Sequence, residues 1–232
     1  NIESYVLNAA DEIIIVYKII ESYVKKHTNS EPILIPNGVD LSRFKPNTDH
    51  TQKNQANSLI ISVGNLSRVK NHECLIKAMK YVDADLLIIG DGSLYSRLNQ
   101  LISQLGLMRR IKIIKSIPNK IMPTYYNKAD LFALAYDPEI ESLPMPVMEA
   151  MACALPIIVP KAGRGYDTGL EGVGVLSKRD PKSFSEKISR LLDNPSEMKV
   201  RSERSYKKSK EFDIRNTQDK EADVYYKLIK ND

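Results

Sequence analysis

The sequence predicts an α/β protein built around a parallel sheet with helices on both faces. Apolar segments of strand length alternate with segments of helical spacing over most of the 232 residues. The strand-like segments are apolar throughout, which is typical of strands buried between two helical layers. Two of them end in glycine just before a polar loop. Because crossover connections are right-handed, the pattern predicts a doubly wound, Rossmann-like domain.

The elements of this domain can be assigned from hydrophobic spacing. We expect strands at 59–64, 85–90, 110–117, 130–136, 155–160 and 172–176. We expect helices at 73–82, 95–107, 122–129, 146–154, 181–194, 196–212 and 215–230. Before them, strand-like segments at 12–16 and 33–40 flank a short helix at 17–27 and resemble the end of a preceding α/β unit.

A polar stretch, KPNTDHTQKNQANS, separates the two regions. It has almost nothing apolar to bury, as is typical of a surface loop or linker. We therefore expect four parts: the end of a preceding α/β domain with its connection (1–44), a polar loop (45–58), the Rossmann-like domain (59–195) and C-terminal helices (196–232). The last of these helices is expected to cross back toward the first part.

Composition excludes several classes of protein. The chain is 42% hydrophobic and 27% charged, as in ordinary globular proteins. No apolar run approaches the ~20 residues that a membrane-spanning helix needs. Cys74 and Cys153 lie in helical patterns and are expected to be buried and reduced, while His27, His50 and His72 do not have the spacing of metal ligands. Disulfide and zinc chemistry are therefore not expected.

The net charge of +5 permits an anionic partner. Six basic residues concentrate between 199 and 210, with glutamates interspersed. This pattern favours a solvated amphipathic helix, and a patch that binds the membrane surface is the alternative. Aromatic residues are not interleaved with the basic ones, which disfavours nucleic acid. We expect a cytoplasmic protein with a possible peripheral contact at the membrane.

Ligands of open parallel sheets bind beyond the carboxyl ends of the strands. One such loop is GNLSRVKN, where Gly64 allows close approach of the backbone and Arg68 and Lys70 carry charge that suits phosphate. A plain loop with solvated cations is the alternative. Another such loop is Gly90–Asp91–Gly92. It does not match the glycine pattern of dinucleotide-binding loops, so we expect a tight turn here and not a ligand site.

The most informative loop is ESLPMPVMEAMACALP. Glu141 falls before the predicted helix and Glu149 about one turn inside it, so both carboxylates are expected to face one crevice. Carboxylates accept hydrogen bonds from sugar hydroxyls, and the positive helix end suits a diphosphate. Together they suggest a nucleotide sugar. A capping glutamate and an unrelated surface glutamate are the alternative.

The segment 141–160 is similar to the E-x7-E signature of the GT-B retaining glycosyltransferases of family 4. Four other segments resemble that family in order and spacing: IPNGVDLSRF, SVGNLSRVKN, IIGDGSL and YYNKADLFALAY. The resemblance covers residues 9–195. It implies transfer of a hexosyl group from a UDP- or GDP-sugar, with retention and without a metal or other cofactor, to a glycan, lipid-linked or small-molecule acceptor.

The resemblance also implies roles for individual residues. Lys70 would bind the diphosphate and stabilise the leaving group, Glu141 would contact hydroxyls of the transferred sugar, and Glu149 would hold the ribose. Further donor contacts are implied at Gly64, Asn65 and Arg68 in the first loop, at Ser142 and Leu143 for sugar or phosphate, and at Ser116 and Ile117 for the base.

The sequence departs from the family in three places. Asn65 stands where an arginine is common, Ser142 where a glycine is common, and Pro146 removes an N–H from the helix start. The chain also resembles only the donor half of a two-domain enzyme, so an acceptor domain would be missing and the isolated chain is expected to be inactive. A non-catalytic nucleotide-sugar module, an epimerase and a dehydrogenase are the alternatives.

Overall fold

The computed structural model describes residues 2–47, 57–163 and 168–231. Most of the predicted polar loop 45–58 lies outside these ranges, and so does His50. The helices are α1 (Ile2–Asn8), α2 (Glu21–Lys25), α3 (His72–Ala78), α4 (Tyr95–Gln104), α5 (Met122–Lys128), α6 (Met145–Ala152), α7 (Pro181–Leu192), α8 (Pro195–Ser209) and α9 (Ile214–Asn231). The strands are β1 (Ile14–Ile15), β2 (Ile33–Leu34), β3 (Leu59–Val63), β4 (Asp85–Ile89), β5 (Ile111–Ile114), β6 (Leu131–Ala133), β7 (Ile157–Pro160) and β8 (Val175–Ser177).

Six strands form one parallel sheet in the order β5-β4-β3-β6-β7-β8. In its centre, Ile61 of β3 pairs with Leu87 of β4 on one side and Phe132 of β6 on the other. The chain winds outward from β3 to β5 and then returns to the other side of β3 to continue with β6. The predicted doubly wound parallel sheet is confirmed, and the direction of winding reverses between β3 and β6.

The strands are apolar throughout because each one supplies two cores. Ile60 and Ile61 are consecutive and fully buried, yet they belong to different hydrophobic clusters. Side chains from α3, α4 and α7 pack in the cluster around Ile60, and side chains from α5 and α6 pack in the cluster around Ile61. Successive strand residues point to opposite faces, so a sheet between two helical layers needs no polar alternation.

Element ends differ from the sequence expectations in ways that have local causes. The helix expected at 95–107 ends at Gln104, and Gly106 follows with a φ of 68° that a helix does not tolerate. The strand expected at 33–40 is only Ile33–Leu34. Pro36 follows it and has no N–H for the ladder, and Val39 then makes an isolated parallel bridge with Asp213.

The first region forms its own small sheet, in which β1 and β2 are parallel partners. Its helices are tied together by the Tyr23 hydroxyl, which donates to Glu3 at 2.6 Å. The start of α9 lies against the segment that follows β2: the Val39 N–H donates to the Phe212 carbonyl at 2.7 Å, and the Thr217 hydroxyl donates to the Pro36 carbonyl at 3.0 Å. The domain boundaries given above stay predictions.

Several cations of α8 have partners within the chain. Arg204 donates to the Gly172 carbonyl at 2.8 Å, and Lys208 pairs with Glu211 at 2.7 Å. A search of the three described ranges finds no helix with the length and hydropathy needed to cross a bilayer. Peripheral contact with a membrane stays a prediction.

Candidate functional site

The loops after β3 and β6 meet where the winding of the sheet reverses. The Asp137 N–H, just past β6, donates to the Val69 carbonyl in the loop after β3, at 2.9 Å. In the same place the Lys70 ammonium lies 2.7 Å from Oε1 and 2.5 Å from Oε2 of Glu141. The side chains of Lys70 and Glu141 are 10% and 24% exposed. The two residues that the family resemblance assigns to catalysis therefore form one largely buried ion pair where these loops meet.

Gly64 directly follows β3 and lies against the side chain of Lys70. Its φ of 154° is one that residues with side chains rarely adopt, and a Cβ there would lie 3.2 Å from Cδ of Lys70. The stem of Lys70 thus packs over bare backbone at the carboxyl end of the strand. This close approach explains why the loop needs glycine at this position.

His72 supports the same loop from below. It is buried, with Nδ1 at 3.2 Å from the Ser62 hydroxyl and Nε2 at 3.3 Å from the Gly64 carbonyl. Because that carbonyl only accepts, Nε2 carries the proton. Burial lowers the pKa of His72 to about 4. The hydrogen bond to Gly64 raises this pKa, and the charge of Lys70 lowers it further. Sequence analysis missed this residue, although its place two residues after Lys70 was a usable signal.

Glu149 lies one turn inside α6, where the sequence places it, but its surroundings are different from those of Glu141. The hydroxyl of the fully buried Tyr126 donates to Oε2 of Glu149 at 2.7 Å. Burial raises the pKa of Glu149, while the bond from Tyr126 and the charge of Arg43 oppose the rise. This carboxylate is thus held by a neutral phenol in a desolvated position. Sequence analysis did not predict Tyr126 or Arg43.

Four other predicted residues lie in the loops that carry Lys70 and Glu141. Asn65 is exposed, and Arg68 is exposed in a groove that it lines together with Arg97 and Arg179. The Ser142 carbonyl accepts a hydrogen bond from the Tyr136 hydroxyl at 3.1 Å, and the side chain of Leu143 is buried in the core.

The residues predicted to hold the base lie beyond β5, which is at one edge of the sheet. Ser116 is exposed, while Ile117 is partly buried and packs against the hydrophobic core. The assigned roles in donor binding stay predictions.

The first region contributes a side chain to the crevice that sequence analysis missed. Burial raises the pKa of Tyr17, and the negative charge of Glu141 raises it further. A hydrogen bond with Asn37 lowers it. Tyr17 follows β1, so the crevice near Glu141 is bounded by both regions of the chain. The sequence carries no signal for this contact, because it depends on how the two regions pack.

Neither cysteine has the environment of a nucleophile. Both are buried, as expected, and burial raises the pKa of each thiol to about 12. Within residues 2–47, 57–163 and 168–231, no three His, Cys, Asp or Glu side chains are grouped so that they would hold a metal ion. The chemistry available where Lys70 meets Glu141 is that of a cation and a carboxylate, which suits anions and hydroxyl groups. That Glu149 faces the same crevice stays a prediction.

Solved structures with the same architecture include glycosyltransferases. Sucrose-phosphate synthase from Thermosynechococcus elongatus superposes with a TM-score of 0.86 at 23% identity, over 100% of this chain and 61% of that one. Anabaena HepE, in complex with UDP and glucose, gives 0.83 at 19% identity, over 97% of this chain and 66% of that one. At these identities the likeness concerns the fold, which is of the GT-B type.

Sequence relatives point the same way. The chain is 29% identical over 180 residues to the GDP-mannose-dependent monoacylated alpha-(1-6)-phosphatidylinositol monomannoside mannosyltransferase of Corynebacterium glutamicum, covering 69% of this chain and 47% of that protein. It thus spans about half the length of this relative. The family model of the glycosyl transferases group 1 matches residues 44–208, which include Lys70, Glu141 and Glu149. The chain therefore belongs to the glycosyl transferases group 1.

Proposed function

We propose that this chain is the donor-binding half of a retaining glycosyltransferase of family 4. It would bind a UDP- or GDP-sugar and transfer the hexosyl group, without a metal, to a glycan, lipid-linked or small-molecule acceptor. The observation that carries the proposal is the Lys70–Glu141 ion pair at the reversal of a doubly wound sheet, 2.7 Å from Nζ to Oε1. That is where ligands of such sheets bind.

Charge gives the pair a role in the reaction. Breaking the bond between the sugar and the diphosphate leaves negative charge on the diphosphate. Lys70 is a cation held in a half-buried wall of the crevice, where electrostatic stabilisation is stronger than in water. When Lys70 turns to the diphosphate, Glu141 becomes free to accept hydrogen bonds from the sugar hydroxyls. In this proposal lysine takes the place of a divalent cation.

An acceptor domain is the second part of the proposal. Residues in 2–34 expose a set of large apolar side chains, an arrangement that favours cover by further protein: Ile2, Tyr5, Val6, Ile14, Tyr23 and Leu34. The proposed domain would pack on this surface and hold the acceptor opposite the Lys70–Glu141 pair. We expect the isolated chain to bind nucleotide weakly and to transfer little sugar, because closure of the cleft is needed to exclude water.

Calorimetric titration of UDP and GDP into this chain tests the donor site. The matched variants are Glu149→Ala and Glu139→Ala, the latter an exposed carboxylate on the neighbouring loop. Binding of one nucleotide that is lost in Glu149→Ala and kept in Glu139→Ala supports the proposal. Absence of binding, both in this chain and in a longer protein that contains it, overturns the proposal.

Turnover tests the division into halves. Labelled UDP- and GDP-sugars are incubated with this chain alone and with a longer protein that contains it, and transferred sugar is counted. We expect transfer only from the longer protein. Robust transfer by the 232 residues alone would contradict the half-enzyme proposal, and nucleotide binding without any transfer would favour the non-catalytic module.

A further inference from the structure

We propose that Tyr126 is a positioning residue for the donor nucleotide: its hydroxyl occupies one oxygen of the Glu149 carboxylate and so presents the other oxygen to a ribose hydroxyl. The distance from the Tyr126 hydroxyl to Oε2 is 2.7 Å. This inference rests on the proposed function, since it assigns a partner to the carboxylate that would hold the ribose. The tyrosine itself would touch no substrate.

The tyrosine is fixed by packing. Its exposed fraction is 0%, and its ring lies between Phe44, at 6.0 Å between centroids with edge-on geometry, and Phe132, at 6.3 Å. These neighbours come from the connection before the Rossmann-like domain and from β6, so two segments besides its own helix hold the ring. A phenol held this way has little freedom to leave the carboxylate. The direction of its O–H is therefore set before any ligand arrives.

Three ionisable or charged groups face Glu149. Tyr126 comes from α5, Cys153 directly follows α6, and Arg43 comes from the connection, where its guanidinium donates to the Asn119 carbonyl at 3.0 Å. Cys153 is neutral near pH 7, because burial raises its pKa to about 12. Tyr126 and Arg43 are thus the groups that favour the ionised form of Glu149 against the cost of its burial.

Glu149 must be ionised to accept a hydrogen bond from the ribose while it also accepts one from Tyr126. An ionised carboxylate accepts on both oxygens, whereas a protonated one donates from one of them. With Oε2 held by Tyr126, Oε1 is the oxygen left to accept from a ribose hydroxyl. Removing the tyrosine hydroxyl leaves Glu149 free to rotate and makes its protonated form easier to reach. The loss is therefore expected to fall on the ribose hydroxyl and not on the base or phosphates.

The first test compares Tyr126→Phe with Tyr125→Phe, which removes a hydroxyl from the adjacent residue of the same helix. Dissociation constants are measured for UDP and GDP and for their 2′-deoxy forms. For the nucleotide that binds, we expect Tyr126→Phe to lower the preference for the ribose form about fivefold to tenfold, the size of an ordinary net hydrogen bond. Tyr125→Phe keeps the preference. Equal weakening of both forms, or no change in either, overturns the positioning role.

The second test needs no nucleotide. The carboxyl carbon of Glu149 is titrated by ¹³C NMR in the wild type and both variants. The pKa of Glu149 is expected to rise in Tyr126→Phe and to stay at the wild-type value in Tyr125→Phe. No rise in Tyr126→Phe overturns the inference even where nucleotide binds. If the pKa of Glu149 rises but neither this chain nor a longer protein that contains it binds nucleotide, the hydrogen bond is confirmed. The proposed function and the ribose assignment are then contradicted.

Discussion

Glu141 and Glu149 belong to one short segment, but the structure gives them opposite surroundings. Glu141 lies in a loop and is paired with a cation, the Lys70 ammonium, at 2.7 and 2.5 Å. Glu149 lies in α6 and is bonded to a neutral phenol, Tyr126, at 2.7 Å. We propose that the two pairs line one crevice, and we call the first its cationic half and the second its neutral half.

The difference lies in the elements that supply the partners. Lys70 comes from the loop after β3, which a positive-φ glycine allows to approach the reversal point of the sheet. Tyr126 comes from a helix that packs beside α6 inside the core. A half built on a loop and a lysine that can exchange its carboxylate partner suits a ligand's phosphates, whereas a half built on a buried hydrogen bond suits its hydroxyls. The predictions below separate the two halves.

Removing the lysine is expected to have the largest effect. Lys70→Ala leaves Glu141 without its cation and removes the stabilisation of the leaving diphosphate, so transfer by the protein that carries this chain falls about 10²- to 10³-fold, as for other lost electrostatic stabilisers. Initial rates with a labelled nucleotide sugar measure the loss. Lys80→Ala is the matched control, because Lys80 is exposed and lies before β4, at the end of the sheet away from this site. An equal loss in both variants would contradict the assignment.

Gly90→Ala is expected to damage the support of the cationic half. A Cβ at this position would lie 2.0 Å from the Gly64 carbonyl oxygen, which is backbone and has no rotamer to adjust. The free energy of unfolding is expected to fall by about 3 kcal/mol, measured by chemical denaturation. Gly106→Ala is the control for backbone strain without a steric clash. Gly106 has a φ of 68°, and a Cβ there would meet no atom within 4 Å. A similar loss at both positions would show that contact with Gly64 is not the cause.

Acid is expected to destabilise the cationic half through His72. The folded state keeps this histidine neutral to about pH 4, while the unfolded chain binds the proton near 6.5. The unfolded state therefore holds more protons between these values, and the free energy of unfolding falls as pH drops from 6.5 to 4, by about 3 kcal/mol in all. Denaturation across this range is compared with His72→Asn. The same slope in the variant would rule His72 out as its source.

Ala154→Gly is expected to have the smallest effect, and it stabilises. Ala154 follows α6, the helix that carries Glu149, and has a φ of 58°. Glycine adopts this conformation without strain, so the free energy of unfolding should rise by about 1 kcal/mol. Ala150→Gly, inside the helix and buried, should lower it by at least as much. Thermal denaturation of both variants checks the opposite signs, and a loss in Ala154→Gly would contradict the account.

Much of the fold is readable from the sequence, because local pattern and topology agree. Strands that are apolar throughout imply a sheet with two covered faces, and Ile60 and Ile61 show how one strand supplies both cores. The position of Glu149 inside α6 follows from helix boundaries alone. The strand expected at 33–40 is mostly wrong, since the apolar run there contains Pro36 and leaves the ladder.

The partners at the site are not readable in the same way. Tyr126 and His72 lie in helical segments and look like core residues, and both are buried. Their roles come from contacts across the fold: Tyr126 reaches a residue 23 positions away, and His72 reaches the carbonyl of Gly64. Tyr17 depends on the packing of two regions. Pattern predicts which residues are buried, whereas only tertiary structure shows which polar atoms meet.

The central claim is that the two halves bind different parts of one donor nucleotide. The most direct test measures the affinity of Lys70→Met and Glu149→Gln for the nucleoside monophosphate and diphosphate of the base that binds. We expect Lys70→Met to weaken the diphosphate and leave the monophosphate almost unchanged, while Glu149→Gln weakens both. If the two variants weaken both ligands in the same proportion, the halves do not divide the nucleotide and the account is wrong.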